Sequence, residues 1–359
     1  MTTPPPFDPQ LAIALRDEHE RVVTSLSPDE IPALRARAEH PDAEVLTLGG
    51  RLTLRALTVP GPAGAPDVPV VLVRPTDATG PVPLILHLHG GGMVTGNARE
   101  DMVPVTELAV AAGCAVASVE YRLAPEHPYP AAVEDAYAAL VWLTRHAEDL
   151  GLDAGCVVVE GMSAGGGLAA AAALLARDRG GPALAGQMLL CPMLDDRNDS
   201  ASGTQMVGLG VWDRTANETG WAAYLGGRAG GPDVPPYAAP ARATDLTGLP
   251  PAFIDVGSAE TFRDEDVSYA ARLWACGGVA ELHVWPGGFH GFDNLAPTAE
   301  LSQEARAARA RWLRRILSRQ ADVAGAAPTG TALAGTARTG TALTGSEPSD
   351  RSPSMEDAR

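Results

Sequence analysis

The chain has 359 residues, 45% of them hydrophobic and 5% aromatic, which is ample for a buried core and excludes wholesale disorder. Its 44 Asp and Glu outnumber 27 Lys and Arg, for a formal net charge of −17. Such a surface repels phosphate backbones and anionic lipid, so neither nucleic acid nor a membrane is an expected partner.

The opening Met1-Thr-Thr-Pro-Pro-Pro-Phe7 has no basic start and no apolar core, so no signal peptide is expected. The apolar stretch Leu168–Ala176 stops at Arg177, far short of the roughly 20 residues that cross a bilayer. A cytoplasmic protein is the expectation. Four widely spaced cysteines (114, 156, 191 and 276) form no CxxC, and three adjoin apolar segments. They predict buried reduced thiols rather than disulfides or a metal site.

Residues 8–40 read as helical and charged before any strand begins, and 1–45 is taken as an N-terminal helical segment. Leu52–Val59 and Val68–Arg74, joined by Pro/Gly-rich sequence, predict an antiparallel opening pair. Then come β-rich runs at Pro83–His89, Cys114–Glu120, Cys156–Glu160, Gln187–Cys191, Ala252–Val256 and Glu281–Trp285. Several are continuously apolar, as in strands buried on both faces of a parallel sheet. Helical patterns lie between them, at Val103–Ala112, Ala131–Leu150, Ala164–Arg177, Glu265–Cys276 and Thr298–Ser318. This alternation over 46–320 predicts an α/β fold with a mostly parallel sheet of about eight strands flanked by helices. Residues 195–235 interrupt it with Asp/Asn/Gly-rich sequence and one helical piece, Arg214–Leu225. With the N-terminal segment, this insertion is expected to form a helical cap. From about Ala321 the composition collapses to Ala, Gly, Thr, Ser and Pro, which predicts a disordered tail over 321–359.

Gly161-Met162-Ser163-Ala164-Gly165 follows a strand and opens an Ala-rich helix. A sharp turn there lifts the Ser163 hydroxyl above the sheet and leaves the Ala164 N–H at a helix N-terminus, suited to an oxyanion. His89-Gly90-Gly91-Gly92-Met93 ends another apolar run, and its glycines expose backbone N–H groups that could supply the remaining oxyanion donors. Of eight histidines, His290, in Pro286-Gly-Gly-Phe-His-Gly-Phe-Asp293, lies just past the last predicted strand, where open α/β sheets build their sites. An acid to orient it is expected after Ala252–Val256. Glu260 is the best placed; Asp255, Asp264 and Glu265 are the alternatives. Met93, Met162 and Trp212 are expected, from adjacency alone, to line the substrate pocket.

Over roughly residues 45–318 the sequence resembles the hormone-sensitive lipase family of α/β-hydrolase esterases. The resemblance rests on His89-Gly-Gly-Gly-Met93, Tyr121-Arg-Leu-Ala-Pro-Glu-His-Pro128 with Pro130-Ala-Ala-Val-Glu-Asp135, Gly161-Met-Ser-Ala-Gly165 and Gly288-Phe-His-Gly-Phe292, in the family's order. It implies Ser163 as nucleophile, His290 as base, and the N–H groups of Gly91, Gly92 and Ala164 as oxyanion hole. Where most members have Asp in an Asp-Pro-Leu-Arg-Asp-Glu stretch, this chain has Glu260-Thr-Phe-Arg-Asp-Glu265, so Glu260 takes the acid position. Tyr121, Arg122, Glu126 and His127 are read as bracing turns rather than as chemistry.

The expectation is a serine carboxylesterase acting on a small-molecule ester, with no cofactor and no metal, as a monomer or homodimer. A preference for short-to-medium acyl groups comes from the resemblance only. The same machinery would also suit an amide, a lactone or an acetylated metabolite. A noncatalytic receptor on this fold, as in the plant gibberellin receptors that resemble the family, loses the His that is present here as His290.

Overall fold

A computed structural model describes residues 3–325. The expected tail, 321–359, lies outside the described residues from 326 onward. Eight strands make one sheet: β1 (Leu52–Val59), β2 (Val68–Pro75), β3 (Val82–Leu88), β4 (Ala115–Val119), β5 (Leu152–Met162), β6 (Gly186–Leu190), β7 (Ala252–Gly257) and β8 (Ala280–Trp285). Their order is β1-β2-β4-β3-β5-β6-β7-β8. β1 pairs antiparallel with β2 and β2 antiparallel with β4, and all later pairs are parallel. The mostly parallel sheet of about eight strands flanked by helices, expected from the strand–helix alternation, is thus the one observed.

The helices are α1 (Pro9–Asp17), α2 (Ile31–Arg35), α3 (Ala43–Leu46), α4 (Met102–Ala112), α5 (Ala131–Arg145), α6 (Ala147–Leu150), α7 (Ala164–Asp178), α8 (Ala201–Gln205), α9 (Arg214–Leu225), α10 (Arg263–Ala275), α11 (Phe292–Leu295) and α12 (Glu300–Gly325). One predicted helix, Ala131–Leu150, divides at His146 into α5 and α6. Strand β5 begins earlier than its apolar run, because Leu152 pairs with Val82 across a register shift.

The central strands β3 to β7 carry side chains buried on both faces, as their unbroken Val/Leu/Ile runs require. α5, α7 and α10 pack on one face and α3, α4 and α12 on the other. α7 is buried almost along its whole length, and its alanines let it lie close to the strands. On the opposite face Trp312 of α12, 2% exposed, packs its ring 5.8 Å from that of Phe253 on β7. A Cβ on Gly186 of β6 would lie 2.7 Å from the same indole, so a glycine is needed there.

Between β6 and β7 the insertion carries α8 and α9, and it is fastened to the N-terminal segment. Trp212 N donates to Val23 O at 2.8 Å and Asp213 N to Thr24 O at 2.7 Å. Thr24 Oγ1 donates to Gly210 O, Ser25 Oγ to Asp213 Oδ2 and Thr219 Oγ1 to Leu26 O. No helix among the described residues is long and apolar enough to cross a membrane.

Docking of α12 depends on its tryptophan. Trp312→Ala is expected to destabilise the protein by about 3–5 kcal/mol, read as a lower urea midpoint with an unchanged m-value; a shift below about 1 kcal/mol would show that the indole does not anchor the helix.

Candidate active site

Strand β5 runs straight into Ser163, which caps α7 and has φ 58° and ψ −121°. A left-handed φ is costly for a residue with a side chain, about 1–3 kcal/mol. The turn is held by its own backbone: Ser163 N donates to Leu190 O at 2.8 Å, and Ser163 O accepts from Met193 N at 2.9 Å and Gly167 N at 3.0 Å. Gly165 explains the motif's last glycine, since a Cβ there would stand 1.9 Å from Leu88 O, inside van der Waals contact.

His290 follows β8 and Glu260 follows β7, so three segments distant in sequence meet at the carboxyl ends of parallel strands. His290 Nε2 lies 2.9 Å from Ser163 Oγ, and His290 Nδ1 lies 3.1 Å from Glu260 Oε1. The other oxygen of Glu260 accepts the Gly257 N–H at 3.0 Å, which fixes the carboxylate plane. All three side chains are buried. The alternative acids are engaged elsewhere. Asp255 binds Arg309 and Trp285, Asp264 caps Ser202 N, and Glu265 accepts the N–H groups of Leu194 and Asp195.

The other buried histidines have structural partners. His87 Nδ1 meets Glu160 Oε2 at 2.6 Å; burial works against its positive form, but the Glu160 carboxylate outweighs this and raises its affinity for a proton. His89 donates Nδ1–H to Gly90 O at 2.8 Å and stacks on Tyr121, whose hydroxyl donates to His89 O. Burial drives the His89 imidazole down to about 3, so it stays neutral. Arg122 forks onto Asp135, and Glu126 pairs with Arg35.

A cavity of about 350 Å³ opens on Ser163 and His290, with Gly90, Gly91, Gly92, Met162 and Trp212 in its wall. Among the described residues the N–H groups of Gly91, Gly92 and Ala164 donate no hydrogen bond. Trp212 lies directly over the glycine loop: a Cβ on Gly92, at φ 61°, would meet its indole at 2.1 Å. On the same wall the Glu100 carboxyl is pushed up to about 7 by burial and by the neighbouring Asp101. Met93 departs from expectation. It does not line the cavity but sits 2% exposed in the main core.

One buried cation escaped the sequence reading. Arg309 of α12 donates Nε–H to Asp255 Oδ2 at 2.8 Å and Nη1–H to Asp293 Oδ2 at 2.5 Å, while Arg306 donates to Asp293 O. Asp255 lies on the strand that leads to Glu260, and Asp293 is three residues past His290. The guanidinium therefore ties the two loops together from beneath. Nothing in the sequence marks Arg309 among the many arginines of its helix.

A family profile described as the alpha/beta hydrolase fold matches residues 85–294. The chain belongs to that family, in its hormone-sensitive-lipase-like branch. It is 36% identical over 303 residues to carboxylesterase NlhH of Mycobacterium tuberculosis, covering 84% of this chain and 93% of the relative. It is 37% identical over 219 residues to an acetyl-hydrolase of Streptomyces hygroscopicus, covering 61% and 70%. Among solved structures, a bacterial heroin esterase superposes with a TM-score of 0.78 at 40% identity, over 87% of this α/β-hydrolase and 98% of that chain.

Removing Arg309 strands two buried carboxylates. Arg309→Met is expected to cost about 3–5 kcal/mol of unfolding free energy at neutral pH, measured by urea denaturation. Burial raises the Asp293 carboxyl, but Arg309 and Arg306 outweigh it and hold the group below the usual aspartate range. Its contribution is therefore complete above the unfolded value of about 3.9 and fades as the pH falls through the folded one. A loss that is constant between pH 7 and pH 3 would contradict this.

Proposed function

We propose that this carboxylesterase-type α/β-hydrolase cleaves small carboxylic esters through a Ser163–His290–Glu260 triad and an acyl-enzyme. The observation that carries the reading is the continuous line of hydrogen bonds from Glu260 Oε1 through His290 to Ser163 Oγ. Glu260 holds the ring with its proton on Nδ1, which leaves the Nε2 lone pair facing the hydroxyl. Ser163 attacks the acyl carbon as Nε2 takes its proton, and the imidazolium that forms is balanced by Glu260. The N–H groups of Gly91, Gly92 and Ala164 receive the oxyanion, each such donor contributing about 2.7–4 kcal/mol in comparable enzymes. The imidazolium then protonates the leaving alcohol. Water activated by His290 next releases the acid and restores the serine.

The one-methylene-longer Glu suits this role, since its second oxygen anchors on Gly257 N while the first reaches the ring. Trp212, lying on Gly92, bounds the space beside the oxyanion donors and supports a short-to-medium acyl group. The N-terminal segment and the insertion, fastened along 23–26 and 210–219, form the cap over the cavity. The acetyl-hydrolase relative favours deacetylation of a small metabolite as a second reading.

Ser163→Ala is expected to lower kcat/KM for p-nitrophenyl acetate at least about 10⁴-fold, and Glu260→Gln by about the same factor through the wrong imidazole tautomer. A fluorophosphonate should add once, at Ser163, by peptide mass mapping. Full turnover by Ser163→Ala would end the reading, and wild-type kcat in Glu260→Gln would move the acid elsewhere. Parallel kinetics on acetyl esters, butyrate esters and acetamides separate the two readings.

A further inference from the structure

Cys191, the first residue after β6, brings a third kind of donor to the His–Glu pair. Its Sγ, a ring nitrogen of His290 and a carboxylate oxygen of Glu260 all lie within 4.8 Å of one another. Each residue is more than nine-tenths buried, with Cys191 7%, Glu260 2% and His290 6% exposed. The thiol makes no hydrogen bond among the described residues. The role proposed above uses Glu260 and His290 but leaves the sulfur without a task.

We propose that Cys191, His290 and Glu260 form an inhibitory site for a thiophilic divalent cation such as Cd²⁺ or Zn²⁺. Thiolate, imidazole and carboxylate together are the donor set such ions select, whereas Mg²⁺ and Ca²⁺ prefer all-oxygen shells. Around a tetrahedral ion, N, O and S donors stand about 3.3–3.6 Å apart, given the usual metal–ligand lengths. The His290 Nδ1 to Glu260 Oε1 separation is already 3.1 Å. From the 4.8 Å limit, the sulfur edges of the triangle need to close by about 1.2–1.5 Å at most.

Burial, together with the Glu260 and Asp255 carboxylates, holds the Cys191 thiol well above the usual range, so it is a neutral S–H until an ion displaces its proton. The proton goes to water as the metal–sulfur bond forms, and no electron is transferred. At His290 the ion takes the Nδ1 lone pair, so the proton that Nδ1 carried moves to Nε2. The nitrogen facing Ser163 then holds a proton and cannot accept another. Inhibition follows from the tautomer, without any movement of the serine.

The inference rests on the triad reading for its effect on turnover, but ion binding can be observed without turnover. Cd²⁺ is titrated into the full-length protein while the ultraviolet thiolate-to-cadmium charge-transfer band and p-nitrophenyl acetate hydrolysis are followed. The expected result is one ion per chain, one proton released, and at least a tenfold loss of rate that EDTA reverses, with Mg²⁺ and Ca²⁺ inert. Cys191→Ala and Cys191→Ser should both lose the band and resist Cd²⁺ relative to their own untreated rates, while Cys276→Ser keeps both effects. A band that survives in the Cys191 variants would overturn the site. A Cys191-dependent band without inhibition would overturn the tautomer mechanism. A wild-type protein that shows the band but hydrolyses no ester would instead count against the proposed function.

Discussion

The backbone of Ser163 is held at a positive φ by hydrogen bonds to Leu190, Met193 and Gly167, and that small strained region positions much else. The strain, about 1–3 kcal/mol, persists because β6 and α7 over-determine the turn. The same turn forces Gly165 against Leu88 O at the end of β3. Since β3 leads directly into His89-Gly90-Gly91-Gly92, one close backbone approach sets both the height of the hydroxyl and its distance from the glycine N–H groups. A side chain at 165 would move both together.

A second constraint works beneath the site. Glu260 and His290 belong to loops after different strands, and loops alone hold such geometry poorly. Here the loops are tied through Arg309, whose charge faces Asp255 before one loop and Asp293 after the other. Burying this cation with two carboxylates is costly in desolvation, and buried ion pairs do not as a rule add much stability over an apolar filling. What the arrangement does provide is direction, because a guanidinium fork accepts its partners in only a few orientations.

Strand positions were largely legible in the sequence because strands buried on both faces must be apolar throughout, and Val157-Val-Val and Leu84-Ile-Leu can be little else in an alternating chain. The spacing of Ser163, Glu260 and His290 was legible for a related reason, since each follows a strand and parallel strands end on one side. What could not be read were features set by a single dihedral or by packing across the sheet. Met93 and Trp212 both adopt positive φ, yet one faces the core and the other the cavity, and adjacency to a motif does not distinguish them. Arg309 reads as one of several arginines on an amphipathic helix, and Cys191 as an apolar strand end. Asp255, which faces Arg309, and Glu260 and His290, which face Cys191, are supplied by chain more than fifty residues away.

The chemistry and the selection of substrate are built from different material. The hydrogen-bonded line and the glycine N–H groups come from strand ends buried in the sheet, where a change of one side chain disturbs the core. Much of the facing cavity wall comes instead from Val22, Val23, Val211 and Trp212, on two irregular segments joined at Val23 and Trp212 through backbone alone, with the side chains of Thr24, Ser25 and Thr219 adding further bonds. Backbone pairing is indifferent to side-chain identity, so these wall residues can change without loosening the fastening between the segments. Val23 and Trp212 carry both duties, since each lines the cavity and the two share the bond from Trp212 N to Val23 O. Of the pair, Trp212 shapes the site more directly, because its indole occupies the space beside Gly92.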